Sequence, residues 1–185
     1  EGDTLNRDPG VGEELTAPVD IETEQERGVL GITRSNEEYA LVQHGVTVQW
    51  KRFGADNFGI GGYVESRRAN LNLSQTLFVK DDAFDVLIDQ VVHTSVYRSL
   101  EKFVAGLSPD KQVANSAHLR ELFTWLIGHL RDVEPLEGQQ MAAAHSLIET
   151  MLVAEIWPVA DAVSEHERQA SQGEGNFTTL ERLGW

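Results

Sequence analysis

The sequence contains no cysteine and few lysines, and it has no long apolar run. Without cysteine the chain forms no disulfide and no thiolate nucleophile, and cysteine-based zinc or iron–sulfur sites are excluded. No stretch approaches the roughly 20 apolar residues that a membrane-spanning helix requires. No charged and then apolar leader marks the chain for export. We therefore expect no membrane partner, and a chain that works in the cytoplasm or as part of a particle.

Basic side chains are scarce as well: four lysines and eleven arginines stand against 30 acidic residues, for a net charge of -15. Binding to DNA depends on Lys and Arg that displace condensed counterions, so a nucleic acid is not an expected partner. An acid excess with little lysine is typical of proteins that work in molar salt, where charges are screened over about 3 Å. A GC-rich genome also favours arginine over lysine. We interpret the composition as that of a protein from an organism that lives in high salt.

The first 40 residues form the most acidic part of the chain. They contain eleven acidic residues and three arginines, which is more than half of the net charge. So polar a segment buries too little apolar surface to fold alone. We predict an extended acidic arm over residues 1–40 that is held by a neighbouring subunit or by the outside of its own domain.

A β section is predicted over about residues 44–80. Val46, Val48 and Trp50 alternate with polar residues, which is the pattern of a half-buried strand. Residues 54–62 are rich in glycine and are expected to form a turn, because they match no dinucleotide-binding fingerprint. Alternation resumes after residue 69, so we predict a small antiparallel hairpin or sheet.

The helical section is predicted over about residues 81–170. Asp81 and Asp82 supply carboxylates for a helix N-terminus, and apolar residues then recur at helical spacing. A last long helix is expected from about Gln139 to Gln169. The predicted fold class is α+β but mainly α: the arm, a small antiparallel β section and a three- to four-helix bundle. The globular domain spans residues 41–172, and residues 173–185 form a C-terminal tail.

Candidate chemistry is confined to the last helix. His145 and Glu149 are four residues apart and therefore lie one turn from each other, and Glu155 lies near the same face. An imidazole and a carboxylate can act as an acid–base pair at neutral pH. No nucleophile or oxyanion donor stands beside them, and the Glu-x-x-His signature of a bundle metal site is absent. We expect no cofactor and no bound metal.

Other residues indicate contacts with protein partners. His118, Trp125 and His129 fall on one side of a predicted helix and widen its apolar arc beyond what one packing partner needs. Trp185 ends a polar tail and is expected to dock on something, since buried aromatics often dominate binding energy.

These features favour a non-catalytic structural or assembly subunit of a larger complex or particle, a virion included. It would contact copies of itself or other chains through its arm and helical faces. Two alternatives stay open. One is an enzyme or enzyme subunit that uses His145, Glu149 and Glu155 with His118 or His129 opposite, with or without a metal; the other is a small regulatory domain with a ligand pocket between sheet and bundle.

Overall fold

The computed structural model describes residues 15–33, 38–55, 58–132, 138–154, 157–158 and 177–178. The strands have the following bounds: β1 Thr16–Glu22, β2 Glu26–Thr33, β3 Glu38–Gln43, β4 Val46–Arg52, β5 Gly54–Ala55, β6 Phe58–Ser66, β7 Trp157–Pro158 and β8 Phe177–Thr178. The helices are α1 Asp82–Asp85, a π-helix over Val86–His93, α2 Thr94–Ala105, α3 Pro109–Ala114, α4 Ser116–Asp132 and α5 Gly138–Val153. The short strands β7 and β8 pair only with each other.

The main sheet is mixed, with the strand order β1-β2-β6-β3-β4 and the two-residue β5 paired to β6. All its pairs are antiparallel except β3 with β6, which is parallel. β3 and β4 form a hairpin whose two-residue turn, His44-Gly45, has positive φ at both residues. That geometry matches the right-handed twist of the flanking strands, and glycine adopts it at no steric cost.

One layer of helices packs on the sheet. α1, the π-helix and α2 follow one another without a break, and Asp81 caps the start because its carboxylate accepts from the Phe84 N–H at 3.0 Å. This confirms the helix N-terminus predicted at Asp81-Asp82. α2 packs on β1 and β2 and also on α5. The core joins Leu30, Ile60 and Val64 of the sheet to the buried sides of these helices.

The predicted fold class is wrong in the extent and pairing of its β section. Residues 16–33, expected to be part of an arm, form β1 and β2 of the main sheet. Ile21, Leu30 and Ile32 are buried there, although Asp20 and Glu22 flank Ile21. The glycine-rich residues 58–62, expected to be a turn, belong to the central strand β6, and the parallel β3–β6 pair makes the sheet mixed. The chain is α+β with a large sheet and few helices.

The last helix is also shorter than predicted, because α5 ends at Val153. Its buried face contains Gln140, Ala144, Leu147 and Met151, whereas Met141 of the predicted apolar stripe is exposed. Apart from residues 177–178, the predicted tail of residues 173–185 lies outside the described residues.

Candidate functional site

The predicted acid–base pair of α5 lies on the protein surface. His145 Nδ1 is 3.6 Å from Glu149 Oε1, and the two side chains are 73% and 66% exposed. Water therefore surrounds both groups. Acid–base catalysis needs a shaped site that shields such groups from water, and the described residues form no such cleft around this pair. Glu155 lies outside the described residues.

Two of the predicted interface residues, Trp125 and His129, pack against each other on α4. The rings of Trp125 and His129 are stacked, with centroids 5.2 Å apart and planes 3° apart. Both side chains are half-buried, and Trp125 packs against the core. The side chain of His118 and all of Trp185 lie outside the described residues.

Trp125 and His129 belong to a larger cluster that the sequence analysis missed. Phe53, which follows β4, contacts both rings edge-on, with centroids 5.1 Å away in each case. His93, the last residue of the π-helix, lies 5.3 Å from His129 and 5.4 Å from Phe53. We call Phe53, His93, Trp125 and His129 the imidazole cluster. The only sequence signal for His93 is its place beside Val92 in an apolar stripe. Buried and exposed histidines both occur in such a position, so the signal does not reveal the burial of His93.

Burial sets the protonation of this cluster. It lowers the pKa of His93 to about 4, and the positive charge that His129 can carry contributes in the same direction. Gln140 on α5 places its amide nitrogen 3.4 Å from His93 Nδ1, and an amide N–H can only donate. Nδ1 accepts this bond in the tautomer that carries its proton on Nε2. Asp89 Oδ1 is also 3.4 Å from Nδ1, and it is half-exposed.

The imidazole cluster serves packing better than chemistry. Within the part of the chain that the structure describes, no three His, Cys, Asp or Glu side chains are arranged to hold a metal ion. The aromatic contacts instead tie the end of β4 to the π-helix and to α4. Ring pairs of this kind add about 0.5–1.5 kcal/mol each beyond the area that they bury.

Exposed apolar side chains are concentrated at the β4 edge of the sheet. The alternation expected in β4 is interrupted by a register shift, since Thr47 pairs with Val42 but Gln49 pairs with Leu41. Val46 and Trp50, which are 61% and 46% exposed, therefore lie on opposite faces of the strand, and Val48 between them packs against the core. Three further exposed apolar residues lie in the segment after β6. We call the whole set the edge surface, and it consists of Val46, Trp50, Leu73, Leu77 and Val79.

Two contacts hold that segment beside the β3–β4 hairpin. Gln43 at the end of β3 donates from its amide to the Ala69 carbonyl at 2.6 Å. At the other end, Lys51 Nζ lies 5.4 Å from the centre of the Phe84 ring, and Phe84 packs against Phe78. These contacts place the two ends of that segment, at Ala69 and Phe84, beside the hairpin.

Known proteins offer no match from which a role for this chain could be assigned. No protein-family model matches the chain, and no curated protein is similar enough to match it either. In the described ranges no helix is long and apolar enough to cross a bilayer.

Proposed function

We propose that the protein is a non-catalytic subunit of an assembly and that it binds a second copy of itself through the edge surface. The observation that carries the proposal is the exposure of Val46 and Trp50 on β4, the strand at one edge of the main sheet. β4 ends the strand order of the main sheet, so one side of its backbone pairs with no further strand among the described residues. An unpaired edge with apolar side chains is a template for pairing with another chain.

The composition of the edge surface supports the same proposal. Trp50 is an aromatic residue of the type that dominates binding energy at interfaces, and Leu73 is fully exposed. Five large exposed apolar side chains on so polar a chain would be a solubility liability if nothing covered them. The edge surface takes the place of the helical faces as the expected contact, because Trp125 and His129 are engaged inside the domain.

Salt concentration is part of the proposal. A net charge of -15 repels a second copy at low ionic strength. In molar KCl charges are screened beyond about 3 Å, so the apolar contact can form. We expect a defined oligomer by light scattering in molar KCl and a smaller species in dilute buffer. A monomer in both buffers contradicts the proposal.

A matched pair of variants locates the contact. Trp50→Lys places a charge in the centre of the edge surface, and we expect it to weaken self-association at least about tenfold because it removes an aromatic anchor. Val153→Lys makes the same kind of change at a side chain of α5 that is 54% exposed, and it should leave the mass unchanged. Equal effects of the two substitutions would show that the edge surface is not the interface.

A further inference from the structure

The last part of α4 is held mainly by ring contacts. Three leucines fix the earlier turns of the helix in the core: Leu119, Leu122 and Leu126. Beyond them, Ile127 is 44% exposed and Leu130 is only partly buried. His129 meets the rings of the imidazole cluster and lies 6.4 Å from the ring of Tyr97 in α2. We call residues 127–132 the α4 end, and the proposed assembly function does not use it.

Gly128 weakens the helix at the same place. Glycine is among the poorest helix formers, and a Cβ atom on Gly128 would meet nothing within 4 Å, so close packing does not require a glycine there. Six residues are also too few to form a stable helix by themselves. The α4 end therefore depends on its contacts with the rest of the domain.

Two imidazoles from different elements face each other at this point. The ring of His93 on the π-helix and that of His129 on α4 are 5.3 Å apart, with their planes at 89°. His93 is 9% exposed and His129 is half-buried. An edge-to-face contact between neutral rings is attractive. Two imidazolium rings at this distance repel each other, and burial strengthens the repulsion because little water screens it. Protonation therefore converts an attraction into a repulsion.

Titratable groups face His93 from several elements. On its own helix, Asp89 places Oδ1 3.4 Å from His93 Nδ1, but Asp89 is half-exposed, so water screens its charge. Tyr97 of α2 lies 6.3 Å from the His93 ring and stays neutral, because burial raises the pKa of its hydroxyl to about 12. Gln140 on α5 and the ring that follows β4 carry no charge. The neighbour of His93 that can change its charge between pH 5 and pH 8 is therefore His129.

We propose that the imidazole cluster is an acid-sensitive latch. It holds the α4 end on the π-helix and on the end of β4 near neutral pH, and protonation of the imidazole pair releases it. The other side of the latch stays in place, because the Phe53 carbonyl accepts from the Ile60 N–H of β6 at 2.9 Å. Acid thus uncovers the rings of Phe53 and Trp125 while the sheet remains folded.

The size of the response follows from His93. Burial lowers its pKa to about 4 in the closed latch, and the charge of His129 acts in the same direction, whereas the ordinary value is 6.5. Protons bind the open form more tightly, so the opening constant rises as the pH falls from 6.5 towards 4. Between pH 7.5 and pH 5, His93 alone raises this constant by up to about thirtyfold.

Amide hydrogen exchange of the full chain measures the opening constant. After correction for the intrinsic rate, protection of the α4 end should fall by about tenfold to thirtyfold from pH 7.5 to pH 5. It should not respond to low concentrations of urea, because local opening exposes little surface. The amides of β6 should instead lose protection as urea is added. An α4 end that shares the urea dependence of β6, or that keeps its protection in acid, overturns the proposal.

Variants separate the imidazole pair from the titration of carboxylates. His93→Phe combined with His129→Phe keeps both rings aromatic and removes both protons, so protection of the α4 end should change by less than about threefold over the same pH range. His145→Gln is the matched control, since it removes an imidazole that is 73% exposed, and it should keep the full response. A double variant that loses protection as the wild type does would contradict the latch.

Two further measurements cover the case in which the double variant does not fold. In the wild type, the NMR signals of the His93 and His129 ring protons should shift over the pH range in which the α4 end loses protection. Gly128→Ala should raise protection at both pH values and leave their ratio unchanged, because alanine strengthens the helix without contacting the rings. Ring shifts without loss of protection, or a ratio abolished by Gly128→Ala, would show that the imidazole pair does not control the α4 end.

Discussion

Two buried titratable side chains, His93 and Glu65, determine how the folded chain responds to pH. His93 is neutral in the fold because burial lowers its pKa, and Glu65 is ionised because its hydrogen bonds outweigh its burial. Both residues join elements that are distant in sequence. Their protonation is therefore coupled to the stability of the tertiary structure.

Acid should destabilise the protein through His93. Its pKa is about 4 in the fold against about 6.5 in the unfolded chain. The unfolded chain therefore binds the proton more readily, and stability falls as the pH drops from about 6.5 to about 4. The loss attributable to this ring is about 3 kcal/mol. Urea unfolding across this pH range checks it, with His93→Phe for comparison.

The comparison uses the slope of the curve, since His93→Phe also leaves the Gln140 amide without its acceptor. The free energy of unfolding of the wild type should fall more steeply between pH 6.5 and pH 4 than that of the variant. Carboxylates titrate in both proteins and cancel in the difference. If the two curves of unfolding free energy against pH run parallel, protonation of His93 does not destabilise the fold and the prediction is wrong.

Glu65 should stabilise the fold as a carboxylate. Burial favours its protonated form, but a 2.6 Å bond from Arg27 Nε and a 2.9 Å bond from the Gly45 N–H together lower its pKa. These contacts join β6 to β2 and to the β3–β4 turn. Glu65→Gln should lower the unfolding free energy by about 1–2 kcal/mol at neutral pH, and Glu149→Gln should leave it unchanged. A Glu65 variant as stable as the wild type in chemical denaturation would refute this.

At the scale of the elements, β6 shows why part of the fold was not predictable. Its first half reads Phe-Gly-Ile-Gly-Gly, which is typical of a turn. In the structure Gly62 is needed because the backbone of β2 comes too close for a side chain. A Cβ atom on Gly62, whose φ is +111°, would lie 2.1 Å from the Val29 carbonyl oxygen. Such close approach depends on strand pairing, which no local pattern records.

Gly62→Ala is accordingly expected to disrupt the sheet. The added methyl group meets the backbone of β2, which cannot move without breaking the β2–β6 ladder, so we expect a loss of at least about 3 kcal/mol. Gly128→Ala is the matched control, because a Cβ atom there meets nothing within 4 Å. In the interior of α4 this change should stabilise the chain by up to about 1 kcal/mol. Thermal melts compare the two, and a harmless Gly62→Ala would contradict the β2–β6 register.

The helices were easier to predict in position than in orientation. The periodicity of α2 and α4 and the cap at Asp81 are local properties, and local physics is visible in a sequence. The buried face of α5 was not visible in the sequence, because Ala143 and Ala144 are small and give a weak apolar signal. Their burial turns the adjacent His145 outward. The same rotation explains why the predicted acid–base pair is exposed.

The candidate sites were hidden for a related reason. The sequence pointed to Trp125 and His129, and the fold does bring them together. Phe53 and His93, which complete the imidazole cluster, come from elements whose proximity depends on the mixed sheet. The edge surface was hidden as well, because the register shift that places Val46 and Trp50 on opposite faces of β4 arises from its pairing with β3.

For the whole molecule, net charge and the edge surface act against each other. Repulsion between chains of charge -15 keeps them apart in dilute salt, and the apolar residues around Trp50 favour contact once salt screens that repulsion.

The most direct test of the proposed interface is amide hydrogen exchange in β4, Val46–Arg52, at two protein concentrations in molar KCl. Contact through the edge surface predicts that these amides exchange more slowly in the concentrated sample, with β1 at the far edge unchanged. Exchange in β4 that does not depend on concentration, or equal slowing in β1, would contradict the account.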